Sequence, residues 1–209
     1  MALCHTRYAL QQPISIRLRG QTKEGTLLTK PFDETLQFSL GLGVNYGLNF
    51  ISKHATTGMV TPGRRAPDAL VYRPGSHIPV RLHSLIKNIG QWHILLFAGE
   101  LMSTKAELAS AAQQLSNFTV TMPRDMIRFL TVIGQNVIEG DKLFSNPRLG
   151  YLCFGRDQSA HFAYGISPGR GAVVVLRPDR VLTHATTLGN GDSAIGFFSG
   201  LVGMDVALR

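Results

Sequence analysis

The stretch Trp92-His93-Ile94-Leu95-Leu96-Phe97-Ala98-Gly99 constrains this chain more than any other. Five consecutive apolar residues inside it run into a glycine. A short unbroken apolar run is the signature of a strand covered on both faces, since neither face then calls for polar side chains. Thr104-Lys105-Ala106-Glu107 follows at once and fits a capping box, with Thr104 as N-cap and Glu107 at the third helical position. Leu108, Ala111, Ala112 and Leu115 then fall on one helical stripe. Strand, tight turn and amphipathic helix open a βαβ unit, around which everything after Gly75 can be arranged.

A chain of 209 residues is long enough to bury a core without disulfide staples. Its hydrophobic share of 44% and charged share of 16% argue against wholesale disorder. No apolar run approaches the roughly 20 residues that span a bilayer, and no apolar segment near Met1 reads as a secretory signal. Cys4 and Cys153 make neither a disulfide framework nor a Cys-x-x-Cys pair, which suits a reducing compartment, so a cytoplasmic location is expected. The net charge of +8 sits in one half: residues 1–87 carry eleven Lys/Arg against four Asp/Glu, residues 88–209 ten against nine. These cations are spread singly, with Arg64-Arg65 the one adjacent pair, so nucleic-acid binding is not expected.

Along the chain, Ile14–Leu18 and Thr26–Thr29 read as short strands. From Leu36 to Phe50 apolar residues alternate strictly with Gln, Ser, Gly and Asn, a period of two that reads as one long or broken strand. These pieces form a β-rich arm over residues 1–59, ending in a connector whose Pro62 and Pro67 forbid regular structure. An α/β domain is expected over residues 60–209. Ala69–Arg73 and Ile78–Leu82 flank the turn Pro74-Gly75-Ser76-His77 as a hairpin, and Ser84–Ile89 reads as a short helix closed by Gly90. Met126–Ile133 and Tyr151–Phe154 read as strands, and Asp157–Tyr164 as one or two helical turns. Ala172–Leu176 and Val181–Thr186 form a hairpin about Arg177-Pro178-Asp179-Arg180. Asp192 is the expected N-cap of a last helix reaching about Met204.

This order, closing on a hairpin and a helix, is similar to a thioredoxin-like fold. Two families share its pieces: the proline-rich approach Pro62-Gly63-Arg64-Arg65-Ala66-Pro67-Asp68, the segment Val80-Arg81-Leu82-His83-Ser84-Leu85, and the strand His93–Gly99. Peroxiredoxin-like proteins place a cysteine thiolate at the first turn of the helix after that strand, where the helix N-terminus lowers its pKa. Residues 100–107 read Glu-Leu-Met-Ser-Thr-Lys-Ala-Glu and hold no cysteine, so thiol peroxidase or disulfide reductase activity is not expected. Pro62–Pro67, Leu95–Gly99 and Val173-Val174-Val175-Leu176-Arg177-Pro178-Asp179 resemble the C-terminal domain of phenol 2-monooxygenase-type flavoprotein hydroxylases, over about residues 60–190. Gly41-Leu42-Gly43-Val44-Asn45-Tyr46 resembles the segment just before that domain. One departure is Arg180, where the family usually has Gly after Arg-Pro-Asp.

The resemblance implies a thioredoxin-like domain without redox cysteines, used in packing or dimerisation, while a separate N-terminal region binds FAD and substrate. That region has no counterpart in these residues. Gly41-Leu42-Gly43 lacks the third glycine of a dinucleotide fingerprint at its place and lies within strand alternation. Gly191-Asp192-Ser193-Ala194 imitates the family's second flavin motif but lacks its His and lies after the final hairpin, so it reads as a loop and helix cap. No residue is assigned a catalytic, cofactor-binding or metal-binding role: seven scattered histidines form no ligand cluster, and no serine sits in Gly-x-Ser-x-Gly. FAD is expected only through a partner or missing domain. Trp92, Phe97 and Tyr151 read as core or edge aromatics. Arg64, Arg65, Phe38 and Tyr46 are the expected interface residues, with the arginines pairing acids across a domain contact. The expected role is structural, as a homodimer or docked on a flavin monooxygenase chain. The alternatives are an accessory subunit of such an enzyme and a pocket protein that holds an aromatic ligand without turning it over.

Overall fold

The computed structural model describes residues 43–52, 59–123, 125–134, 150–167 and 169–203. Phe38, the strands expected at 14–18 and 26–29, and the first half of the alternating stretch lie outside these residues. From Gly43 onward the chain makes one compact unit.

The elements are β1 (Leu70–Tyr72), β2 (Pro79–Arg81), α1 (Leu82–Leu85), β3 (Trp92–Gly99), α2 (Leu101–Thr119), β4 (Ile127–Ile133), β5 (Tyr151–Phe154), α3 (Ser159–Ala163), β6 (Ala172–Leu176), β7 (Leu182–Thr186), a 3-10 turn (Leu188–Asn190) and α4 (Gly191–Val202). This is the order expected from the sequence. The strands form one mixed sheet in the order β2-β1-β5-β4-β3-β6-β7. β3, β4 and β5 run parallel, as a βαβ unit requires, and β1, β6 and β7 join antiparallel.

The unbroken apolar run of β3 is explained by two cores. Ile94, Leu96 and Ala98 face a layer built by α2 and α4, with Leu108, Leu115, Phe197 and Phe198 in it. Leu95 and Phe97 face a second layer holding Leu82, Ile86, Val132, Tyr164 and Val174. Trp92 packs edge-on against Phe197 and Phe198, at ring centroid distances of 6.0 and 5.6 Å. Strand side chains alternate between faces, so a strand with a core on each side has no position left for a polar residue facing water.

Three local expectations are corrected. α2 begins at Leu101, three residues before the capping box, with Glu100 as N-cap and Gly99 at φ +61°. Thr104 is therefore inside the helix, fully buried, and its hydroxyl lies within hydrogen-bond reach of the carbonyls of Ala98 and Glu100. The short helix after β2 spans Leu82–Leu85, two residues earlier than expected and well before Gly90. Asp192 lies in the first turn of α4 and Asn190 is its N-cap, while Gly203 at φ +69° ends the helix in a left-handed C-terminal turn.

The described part of the alternating stretch is not a strand. Gly43–Ser52 is a series of bends with one bridge, Asn45 to Arg64. The Asn45 side-chain oxygen accepts from the Gly47 N–H at 3.0 Å, and the Asn49 oxygen accepts from Ile51 and Ser52 at 2.8 and 2.9 Å. Asparagine side chains that hydrogen-bond their own backbone two or three residues on compete with a strand ladder and favour turns. Tyr46, Leu48 and Phe50 are exposed as a result. Among the described residues no helix is long and apolar enough to cross a membrane.

Candidate functional site

The turn between β3 and α2 is where the peroxiredoxin-like reading requires a thiolate. Its backbone is held from three sides. The Gly99 N–H donates to Nε2 of His161 at 3.0 Å, the Gly134 N–H donates to the Gly99 carbonyl at 3.1 Å, and Thr104 ties the first helical turn to Ala98. His161 comes from α3 and is fully buried, edge-on to Phe97 at 5.2 Å. Burial pushes its pKa down to about 4, so the imidazole is neutral. Tyr164, also fully buried, stacks at a tilt on Phe97 at 4.8 Å, and burial raises its phenol well above the usual range. The turn is thus filled by buried side chains, and the bare ring nitrogen of His161 is already taken by the Gly99 N–H.

Cys153 lies elsewhere, on β5 with Val132 as its neighbour in β4. It has no exposed surface, its thiol faces the Thr131 carbonyl at 3.5 Å, and burial pushes its pKa up to about 12. A thiol with so little thiolate is a poor nucleophile. Among the described residues no group of three His, Cys, Asp or Glu side chains is placed to hold a metal ion.

Of the expected interface residues, Tyr46, Arg64 and Arg65 fall at one edge of the sheet, and Phe38 lies outside the described residues. Gly63, Arg64 and Ala66 continue the ladder beyond the start of β7: Gly63 donates to Leu182 at 2.7 Å, Leu182 to Arg64 at 2.9 Å, and Ala66 to Arg180 at 2.9 Å. Tyr46 donates its N–H to Gly63 at 3.0 Å, so the segment at 45–46 adds outside this ladder. Arg64 and Arg65 have exposed side chains on this ribbon, and neither enters the ion pairs of the described residues, Arg81–Asp68, Arg128–Asp125 and Arg177–Asp179. The Tyr46 ring, half exposed, carries the Arg177 guanidinium 4.9 Å from its centre, and Asp179 holds that guanidinium in place. The structure thus brings Tyr46, Arg64 and Arg65 together. Their shared edge depends on Arg180, which takes φ +67° in the β6–β7 turn and donates from Nε to the Ile86 carbonyl at 3.0 Å.

Sequence reasoning missed one pair. Ser193, in the first turn of α4, lies 3.0 Å from Nε2 of His184 on β7, and that ring stacks on Phe197 at 5.7 Å. It anchors the helix start to the last strand, and the residues that imitated a flavin motif form that first turn. A Cβ on Gly191 would come within 3.3 Å of the Ala111 Cβ, so the glycine lets α4 pack closely on α2.

Sheet, flanking helices and turn define a thioredoxin-like α/β domain whose helix start after the central strand carries no thiol. The same fold is seen in a thiol peroxidase from Chromobacterium violaceum, 11% identical, covering 75% of this chain and 95% of that one with a TM-score of 0.50. A solution structure from Bacteroides thetaiotaomicron is 15% identical, covering 69% and 90% with a TM-score of 0.51. The chain belongs to the family described as phenol hydroxylase, C-terminal dimerisation domain, which it matches over residues 43–141 and 125–205. It is also 28% identical over 130 residues to an FAD-dependent monooxygenase of Aspergillus terreus, an alignment covering 56% of this chain and 18% of that protein.

Proposed function

We propose that this chain is an assembly domain: it pairs with a second copy, or docks on a flavin monooxygenase chain, through the edge carrying Tyr46, Arg64 and Arg65, and performs no redox chemistry itself. The observation that carries this reading is the family match over 43–141 and 125–205, in a chain whose helix start after β3 has no cysteine. The likeness to a fungal FAD-dependent monooxygenase supports the second arrangement, in which FAD and aromatic substrate are bound by a region outside these 209 residues. Exposed arginines on a ribbon of backbone hydrogen bonds suit docking, since guanidinium groups meet carboxylates in planar, bidentate pairs.

Light scattering on the purified chain tests the proposal, alongside its visible absorption spectrum. A dimer that dissociates in the double variant Arg64→Glu/Arg65→Glu supports self-pairing through this edge. A monomer at all concentrations that also fails to bind the flavin-binding region of a monooxygenase of this kind would sink it, as would a purified chain that is yellow with bound flavin.

A further inference from the structure

The three parallel strands begin side by side. Trp92 pairs with Ile127, His93 with Arg128, and Leu130 with Tyr151. At this amino end of the sheet, opposite the plugged turn at Gly99, lies a cleft of about 550 Å³. Ligand sites commonly fall between about 300 and 1,000 Å³. Arg73, Lys87 and Arg128 line it with Phe129, Tyr151 and His93, and no Asp or Glu is among its described lining residues. Gly150, at φ +65°, makes the wall possible: a Cβ there would meet the Phe129 carbonyl at 2.3 Å.

Two further observations point to a ligand. His93 is only 4% exposed, the Gln91 backbone lies beside its ring, and its Nδ1 has no hydrogen-bond partner of good geometry among the described residues. A buried polar atom without a partner keeps hydrogen-bonding capacity to satisfy, and this one lies at the wall of a cationic cleft. Secondly, the cations of the cleft are poorly neutralised. Asp125 approaches Arg128 only to 4.0 Å, with both side chains mostly exposed, a contact worth little in water. Burial first, then the charges of Arg128 and Arg180, hold His93 neutral with a pKa of about 4, against a smaller opposing effect of the Gln91 backbone.

We propose that this cleft binds a small organic anion with a planar apolar body, its charged group held by Arg73, Lys87 and Arg128 and its body by Phe129 and Tyr151. Arginine and lysine supply charge-assisted hydrogen bonds to carboxylate or phosphate oxygens, and the aromatic rings cover the apolar part. A carboxylate seated beside the paired residues His93 and Arg128 perturbs the imidazole directly, so His93 reports the binding. This site is separate from the Tyr46–Arg64–Arg65 edge and does not depend on the assembly role.

The test is an NMR titration of the full chain with naphthalene-2-carboxylate and with its neutral counterpart naphthalene-2-carboxamide. The His93 ring signals are assigned through His93→Gln. The expected result is a saturable shift with the carboxylate and binding at least about tenfold weaker with the carboxamide. Arg73→Gln and Arg128→Gln should each weaken the carboxylate by about tenfold, while Arg156→Gln, outside the cleft, leaves it unchanged. Circular dichroism establishes that each variant is folded. Equal affinity for the two probes, no saturable shift with either, or carboxylate binding indifferent to both arginine variants would each overturn the proposal.

Discussion

Gly99 donates its backbone N–H to Nε2 of His161, a residue 62 positions further along the chain. That bond fixes the tautomer: Nε2 must be bare, so the ring proton sits on Nδ1, which has no partner among the described residues. The imidazole cannot take a second proton without losing Gly99.

The consequence is a pH dependence with a definite sign. Above about pH 6.5 His161 is neutral folded and unfolded, and adds no slope. Between about 6.5 and 4 the unfolded chain binds a proton that the folded chain refuses, so stability falls as pH falls. From pH 7 to 5 this one residue should remove about 2 kcal/mol. Urea unfolding at both pH values should show wild type losing that much more than His161→Gln. His93, held neutral in the same way, keeps its own loss in both proteins. Parallel curves would show that His161 is not the buried neutral group described.

Cys153 should be silent in the folded protein. In a Cys4→Ser background, a thiol-specific chromogenic disulfide should find no reactive group until urea is added, and then one. Peroxide should not be consumed. Rapid labelling under native conditions, or peroxide turnover lost in Cys153→Ser, contradicts the burial and the pKa of about 12.

Leu95 and Leu96 serve opposite cores and are both fully buried. Each change to Ala should cost about 2–5 kcal/mol, a large part of the roughly 5–15 kcal/mol that holds a domain together. Urea midpoints measured for both single variants decide this, and an unchanged midpoint in either would deny the core on that side.

Arg180 occupies a left-handed position that costs an L-residue roughly 1–2 kcal/mol, and its Nε–Ile86 hydrogen bond offsets that cost. Arg180→Ala keeps the strain and loses the bond, so it should destabilise. Arg180→Gly loses the bond but relieves the strain, and should be about 1 kcal/mol more stable than the Ala variant. Thermal melts of the two variants check the order, and Ala above Gly would rule out the turn as described.

The order of elements along the chain was legible because apolar runs such as Ile94–Ala98 and Val173–Leu176 have few other uses, but their order across the sheet was not. So was the stripe Leu108, Ala111, Ala112 and Leu115, which faces the core. What the sequence hid was hydrogen bonding by short side chains. Thr104 looked like a helix cap, but it sits inside the helix and its hydroxyl faces the carbonyls of Ala98 in β3 and Glu100 at the N-cap. Asn45 and Asn49 looked like the polar face of a strand, but each closes a turn. The candidate sites were less legible still. Tyr46, Arg64 and Arg65 could be named, but not the ribbon that joins them to Leu182. The His93 cleft draws on five separate segments, and no spacing along the chain marks it.

The central position of β3 also sets a rule for synthesis. One side of it is completed early by β4, but the other waits for Ala172–Leu176. While the ribosome makes the intervening residues, β3 presents an unpaired apolar edge, a ready template for another nascent chain. The hazard ends only when β6 emerges, so a message truncated before the codon for Ala172 yields a product destined for chaperones or inclusion bodies, however well its first hundred and seventy residues are ordered.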